Sequence, residues 1–186
     1  MSFPTFPIQS LYRTGIFKPT SVAFTTASTG TALGTNTHTN DANAYDVSIA
    51  TAAELNVVMD TPAIASGTKS HIATYSGFGT GNMVGQLSAY VTSTTAKNMG
   101  STANAISTVE VQYSLDGGGT WNPWALASGN MKPLSNVAPI LKPIDILVDL
   151  ALLQVKFILT GAASYVGPSD NATADADLLV YDISFF

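Results

Sequence analysis

Two glutamates and two histidines are the residues of this sequence best suited to catalysis. Glu54 and Glu110 are the only glutamates, and His38 and His71 are the only histidines. Hydrolysis of a glycosidic bond uses two carboxyl groups that face one cleft. Aspartates on other strands could supply the second carboxyl group. Carboxylates on polar strand faces are more often solvated surface residues, however, and we favour that interpretation here.

Neither histidine has partners at the spacing of a metal site or a nucleophile. The sequence contains no His-x-x-Glu-His run and no Gly-x-Ser-x-Gly elbow. It also lacks cysteine, which excludes disulfides and thiolate chemistry. We therefore predict that the chain has no catalytic residues, no metal site and no cofactor, and that it is not an enzyme.

Two acidic stretches contain oxygen ligands of the kind that calcium prefers. Residues 40–46 and residues 170–177 are both rich in Asp, Asn and Ala. Neither stretch has the central glycine and closing glutamate of a twelve-residue EF-hand loop. We interpret both as surface turns.

The best-specified local element is a hairpin around residues 113–124. Val109, Val111 and Tyr113 alternate with polar residues, and a glycine-rich reversal and a second aromatic segment follow. The hairpin residues are Ser114, Asp116, Gly118, Thr120 and Trp121.

This spacing resembles the Asp box, a hairpin found in sialidase-type propellers and in many β-sandwich modules. The resemblance to sialidases implies an arginine cluster that holds the sialate carboxylate, but Arg13 is the only arginine. The motif also occurs once, whereas a propeller repeats it in each blade. We interpret it as a structural hairpin in which Asp116 accepts hydrogen bonds from the turn and Trp121 packs beneath it.

Composition narrows the classes of partner. Charged residues make up 10% of the 186 residues and hydrophobic residues 46%, which predicts an ordered chain with a weakly charged surface prone to association. The net charge of −5 and the scattered lysines argue against nucleic-acid binding. Charged residues interrupt the apolar stretch 144–159, which argues against a membrane span. The N-terminus lacks the pattern of a signal peptide, so we expect synthesis in the cytoplasm without export.

The alternation of apolar and polar residues predicts an all-β fold. About eight segments show the period of a half-buried strand, and no long amphipathic helix is evident. Irregular spacing and long loops favour a jelly-roll-like antiparallel β-sandwich over an up-and-down barrel. Residues 144–150 fit either a strand or a short helix. We predict a single β-sandwich domain over residues 21–186.

Residues 1–20 are predicted to form an extended N-terminal arm, because Pro4, Pro7 and Pro19 disfavour a helix or central strand. Its apolar side chains need a surface, either on the same domain or on a neighbouring subunit. If Trp121 is buried under the hairpin turn, Trp124 is the tryptophan left to contact a partner. The predicted interface residues are Phe3, Phe6, Ile8, Leu11, Tyr12, Phe17 and Trp124.

In composition and predicted architecture, the chain is similar to bacteriophage jelly-roll and β-sandwich virion structural proteins. The resemblance implies a capsid decoration or tail-associated protein of the virion, which forms homo-oligomers and contacts other virion proteins. The alternative is a carbohydrate-binding module or receptor-binding protein that stacks exposed aromatics, among them Trp121, Trp124, Tyr90 and Tyr165, on a surface glycan.

Overall fold

A computed structural model describes residues 15–30, 37–39, 53–59, 67–93, 105–129, 135–163 and 174–186. All the regular secondary structure in these ranges is β-strand, as the sequence predicts. The strands are β1 (Ser21–Gly30), β2 (Thr37–Thr39), β3 (Ala53–Met59), β4 (Gly67–Ser76), β5 (Asn82–Ser93), β6 (Ala105–Ser114), β7 (Asn122–Gly129), β8 (Ser135–Asp149), β9 (Gln154–Ala163) and β10 (Ala174–Phe185).

The strands form two antiparallel sheets. The first sheet has the order β1-β4-β9-β6-β7 and the second has the order β2-β3-β10-β5-β8. Strands β3 to β10 pair as a long folded hairpin would, with β3 on β10, β4 on β9, β5 on β8 and β6 on β7. This nesting, divided between two sheets, is the jelly-roll topology. The predicted jelly-roll-like sandwich is confirmed, and β1 and β2 extend one side of it.

The core lies between the sheets because the apolar residues of each strand recur every second position. On β9, for example, Val155, Phe157 and Leu159 are fully buried. Phe157 packs edge-on against Tyr75 of β4, with the ring centroids 5.7 Å apart. The two neighbouring strands β4 and β9 of the first sheet are therefore joined by an aromatic contact in the core.

The residues before β1 lie along the second sheet. Phe17 exchanges two backbone hydrogen bonds of 2.8 Å with Phe185 near the end of β10. On that side of β10, β3 pairs only as far as Val180, so the segment around Phe17 continues the sheet where β3 stops. Next to it, the Lys18 ammonium lies 2.7 Å from the carboxylate of Asp182, whose side chain is 7% exposed.

One local prediction needs correction, and one open alternative is resolved. The Thr, Gly, Asn and Ala content of residues 29–43 predicts one long loop, but β1 continues to Gly30 and β2 lies within this stretch, held by its pairing with β3. Residues 144–150 lie mainly on β8, so the strand interpretation holds and the helix is wrong. The division into an arm over residues 1–20 and a domain over residues 21–186 remains a prediction.

Candidate interaction surface

The Asp-box hairpin joins β6 to β7 and is closed by its own side chains. The buried Ser114 hydroxyl donates to Asp116 Oδ1 at 2.7 Å and accepts from the Gly118 N–H at 2.9 Å. Asp116 Oδ1 also accepts from the Thr120 N–H at 2.8 Å. Gly117 and Gly118 have φ of 74° and 95°, a conformation that other residues adopt at a cost. The spacing of the motif thus matches the hydrogen bonds of the turn.

These hydrogen bonds fix the charge state of Asp116. Donation from the Thr120 N–H and then from Ser114 lowers the pKa of Asp116 to about 2. The carboxylate stays ionised at neutral pH and is occupied as an acceptor within the turn. A general acid must be protonated at working pH, so this geometry suits a structural role for Asp116 and not that of a proton donor.

The lowered pKa of Asp116 predicts a loss of stability in acid. The folded-state pKa of about 2 lies below the ordinary aspartate value of 3.8, so the contribution to stability is present above pH 4 and is lost as pH falls from about 4 to 2. Urea unfolding, followed by tryptophan fluorescence across this range, should show a weaker pH dependence in Asp116→Asn than in the unmodified chain. Asp145→Asn is the matched control, because Asp145 is an exposed aspartate on strand β8. An unchanged pH profile in Asp116→Asn would contradict the assignment.

Trp121 lies on the outer face of the first sheet. The Lys156 ammonium sits 3.9 Å from the centroid of its ring, a cation–π contact that covers one face of the indole. Burial lowers the pKa of Lys156, and the Glu110 carboxylate partly offsets this. Trp121 is half-buried by this arrangement.

Trp124 lies at the irregularity where Val111 pairs with Ala125 and Gln112 pairs with Pro123. It is half-buried and packs against the hydrophobic core. Both tryptophans are therefore half-buried, with Trp124 against the chain's own core and Trp121 under Lys156 beside the turn at Gly118, so the expected contrast between a buried Trp121 and a free Trp124 is absent. A contact between Trp124 and a partner remains a prediction.

Apolar side chains are exposed on the outer face of the second sheet. Phe186 pairs with Gln86, and Gln86 pairs with Pro143, so one row runs from the end of β10 across β5 to β8. Val84 and Leu141 flank this row, and Ile16 lies beside Phe17. We name the exposed residues of this region, which are 38–71% exposed, the outer patch: Ile16, Val84, Leu141, Ile146, Leu147 and Phe186.

A bulge in β8 enlarges the outer patch. Val148 pairs with Met83 and Ile144 with Gly85, so the three residues 145–147 lie opposite Val84 alone. Extra residues on one strand bend it and turn side chains away from their regular face. The alternation of these apolar residues with Asp145 and Asp149 predicts that Ile146 faces the same way as Ile144 and Val148. That prediction is wrong, because the bulge leaves Ile146 and Leu147 exposed.

The two histidines meet at the side of the sandwich where β1 and β2 are the edge strands, opposite to β7 and β8. The exposed His38 on β2 stacks on Phe24 of β1, with centroids 3.7 Å apart. His71 on β4 is buried and lies 5.5 Å from the His38 ring. These rings connect the two sheets at this side. Periodicity gave no sign of this cluster, since β2 is too short to show an alternating pattern.

Several predicted residues lie outside the described ranges. They are Phe3, Phe6, Ile8, Leu11, Tyr12, Tyr165 and the stretch 40–46. Phe17 is described and is half-buried against the chain's own core. Of the stretch 170–177, residues 174–177 belong to β10. Within the described ranges, no three His, Asp or Glu residues cluster closely enough to hold a metal ion. No helix in those ranges is long and apolar enough to cross a membrane.

Comparison with known proteins found little similarity. No protein-family model matches the chain, and no curated protein matches its sequence. One similar solved structure comes from work on carbohydrate-binding modules of the β-sandwich superfamily, with 11% identity, a TM-score of 0.26, and coverage of 88% of this chain and 56% of the other. Another is from infectious bursal disease virus, Gt strain, with 9% identity, a TM-score of 0.24, and coverage of 100% and 36%. This chain thus spans about half of the first protein and about a third of the second. Both similarities are too distant to bear on function.

Proposed function

We propose that this chain is a non-enzymatic structural protein of a virus particle, most consistent with a bacteriophage capsid decoration or tail-associated protein. In this proposal it associates with copies of itself and with other virion proteins. The outer patch is the observation that supports the proposal. A weakly charged jelly roll that leaves large apolar side chains in water has a surface suited to burial against a neighbour.

The position of the outer patch also fits an arm that assists assembly. Ile16 belongs to the patch and lies one residue from Gly15, where the described part of the chain starts. The apolar residues of the preceding segment therefore connect directly to this surface in sequence. The net charge of −5 favours a place on the outside of a shell or on a tail, since a surface against packaged nucleic acid is usually basic.

The carbohydrate-binding alternative has weaker support. Sugar-binding modules of this kind stack a sugar ring on an exposed aromatic face. Trp121 is covered on one face by Lys156, and Trp124 packs against the core. Among Phe, Tyr and Trp side chains with described burial, Phe186 is the exposed one, and it belongs to the outer patch.

Charge placed in the outer patch should weaken association. We expect Leu141→Asp/Ile146→Asp to raise the apparent dissociation constant of self-association by about tenfold or more, because two carboxylates would have to be desolvated in the interface. Sedimentation velocity over a concentration series measures this change. Circular dichroism checks that the variant stays folded, which is expected because both side chains are at least half exposed.

The matched control is Leu126→Asp on β7, which is 68% exposed and belongs to the first sheet. This variant should associate as the unmodified chain does. Equal association of the outer-patch variant and the unmodified chain would contradict the proposal. So would a chain that stays monomeric and is retained on a polysaccharide column.

A further inference from the structure

The four strands at the sides of the two sheets differ in how well they are protected against further pairing. An edge strand exposes backbone N–H and C=O groups, and proteins usually blunt such edges with short strands, proline, charge or bulges. Strand β2 has three residues. Strand β7 contains Pro123 and an irregular register. Strand β8 contains Pro139 and Pro143 and two register shifts. Each of these three edges carries at least one such device.

Strand β1 carries none of them. All ten residues from Ser21 to Gly30 pair with β4 in one unbroken register, without proline or a bulge. No described strand pairs with its other side. Seven of its side chains are exposed, and only Val22 and Phe24 are half-buried among those described. Because successive residues direct their backbone groups to opposite sides, half of the strand presents donors and acceptors outward.

The sequence of β1 and of the segments on both sides of it also lacks charge. The sequence has no Asp, Glu, Lys or Arg between Lys18 and Asp41. Like charges on an edge oppose the pairing of two identical strands, and this stretch has none. Ala23, Thr25 and Ala27 present small side chains along the exposed face, so a second strand could approach closely.

We propose that β1 is an assembly edge that pairs antiparallel with β1 of a second copy of this chain. Two identical strands related by a twofold axis satisfy each other's backbone groups and close the interface. The first sheets of the two copies would then join into one continuous sheet. The N-terminal segment is a poorer occupant of this edge, because Pro4 and Pro7 would interrupt a ladder of hydrogen bonds. The inference rests on β1 alone and is independent of the virion role.

Matched charge variants of β1 test this pairing. If the twofold axis passes near Thr25, Ala23 lies opposite Ala27 of the second copy. Ala23→Lys/Ala27→Lys should raise the apparent dissociation constant of the dimer by about tenfold or more, and Ala23→Glu/Ala27→Glu should act in the same way. An equimolar mixture of the two variants should restore the dimer, since opposite charges would then face each other. Sedimentation velocity and multi-angle light scattering measure the three samples.

Single cysteines locate the twofold axis. The natural sequence has no cysteine, so Ala23→Cys, Thr25→Cys and Ala27→Cys can form disulfides only between copies. Oxidation should cross-link Thr25→Cys most readily, and Leu126→Cys on β7 should remain uncross-linked. The inference would be overturned if both charged variants dimerise as the unmodified chain does, or if their mixture stays monomeric. It would also be overturned if Leu126→Cys cross-links as readily as Thr25→Cys. The outer-patch variant Leu141→Asp/Ile146→Asp should leave the β1 cross-link intact, which separates this inference from the proposed function.

Discussion

Replacing Phe157 with alanine is expected to lower the free energy of unfolding by about 3–5 kcal/mol. Phe157 is fully buried on β9, in the middle of the first sheet, and packs edge-on against Tyr75. Truncation would remove its buried apolar area and leave a cavity that neighbouring strands cannot fill without distortion. Domains of this size are stable by only about 5–15 kcal/mol, so a large fraction of the total would be lost.

Urea unfolding followed by tryptophan fluorescence measures the effect on Phe157→Ala. Leu126→Ala is the control, because Leu126 is 68% exposed on the edge strand β7. It should change the free energy of unfolding by no more than about 0.5 kcal/mol. A loss below about 1 kcal/mol in Phe157→Ala would mean that the centre of the sandwich is not packed as described.

Replacing Lys18 with methionine is expected to cost about 1–3 kcal/mol. Methionine keeps an apolar stem but removes the ammonium that lies 2.7 Å from Asp182. The Asp182 side chain is only 7% exposed, so removal of the ammonium would leave its buried Oδ1, which has no hydrogen-bond partner among the described residues, without its ion pair. The Lys18 side chain is 36% exposed, and solvent screening keeps the expected cost below that of a fully buried pair.

A double-mutant cycle isolates this pair. Asp182→Asn alone leaves the ammonium able to reach water, so it should cost less than Lys18→Met. The double variant Lys18→Met/Asp182→Asn should regain part of the loss, because no unpaired charge remains. Additive effects of the two single changes would show that the segment before β1 does not lie on β10 as described.

The features that sequence predicted well are those set by local spacing. The alternation of Leu87, Ala89 and Val91 specifies a strand with one buried face, whatever its neighbours are. The Asp-box hairpin is equally local, since its hydrogen bonds join residues two and four positions apart. Long, irregular connections suggested the jelly roll, although the order of strands depends on pairings between distant segments.

The features that sequence missed depend on those distant pairings. Pro139 and Pro143 punctuate this part of the sequence, but β8 contains both, because it is at the edge of its sheet and tolerates them. The bulge opposite Val84 reversed the expected orientation of Ile146, so the outer patch was not foreseen. Likewise, the Asp-box spacing predicted the turn but could not show that Lys156 of β9 covers Trp121.

The most direct test of the virion proposal is co-sedimentation with virus particles produced by the source of this chain. Purified unmodified protein and Leu141→Asp/Ile146→Asp are each mixed with particles that lack the chain, and a density gradient separates bound from unbound protein. The proposal predicts saturable binding of the unmodified protein in a fixed ratio to the major particle proteins, and weak or absent binding of the variant. It also predicts that particles purified from the source contain the chain. The proposal would be contradicted if particles purified from the source do not contain the chain and added unmodified protein does not bind to them.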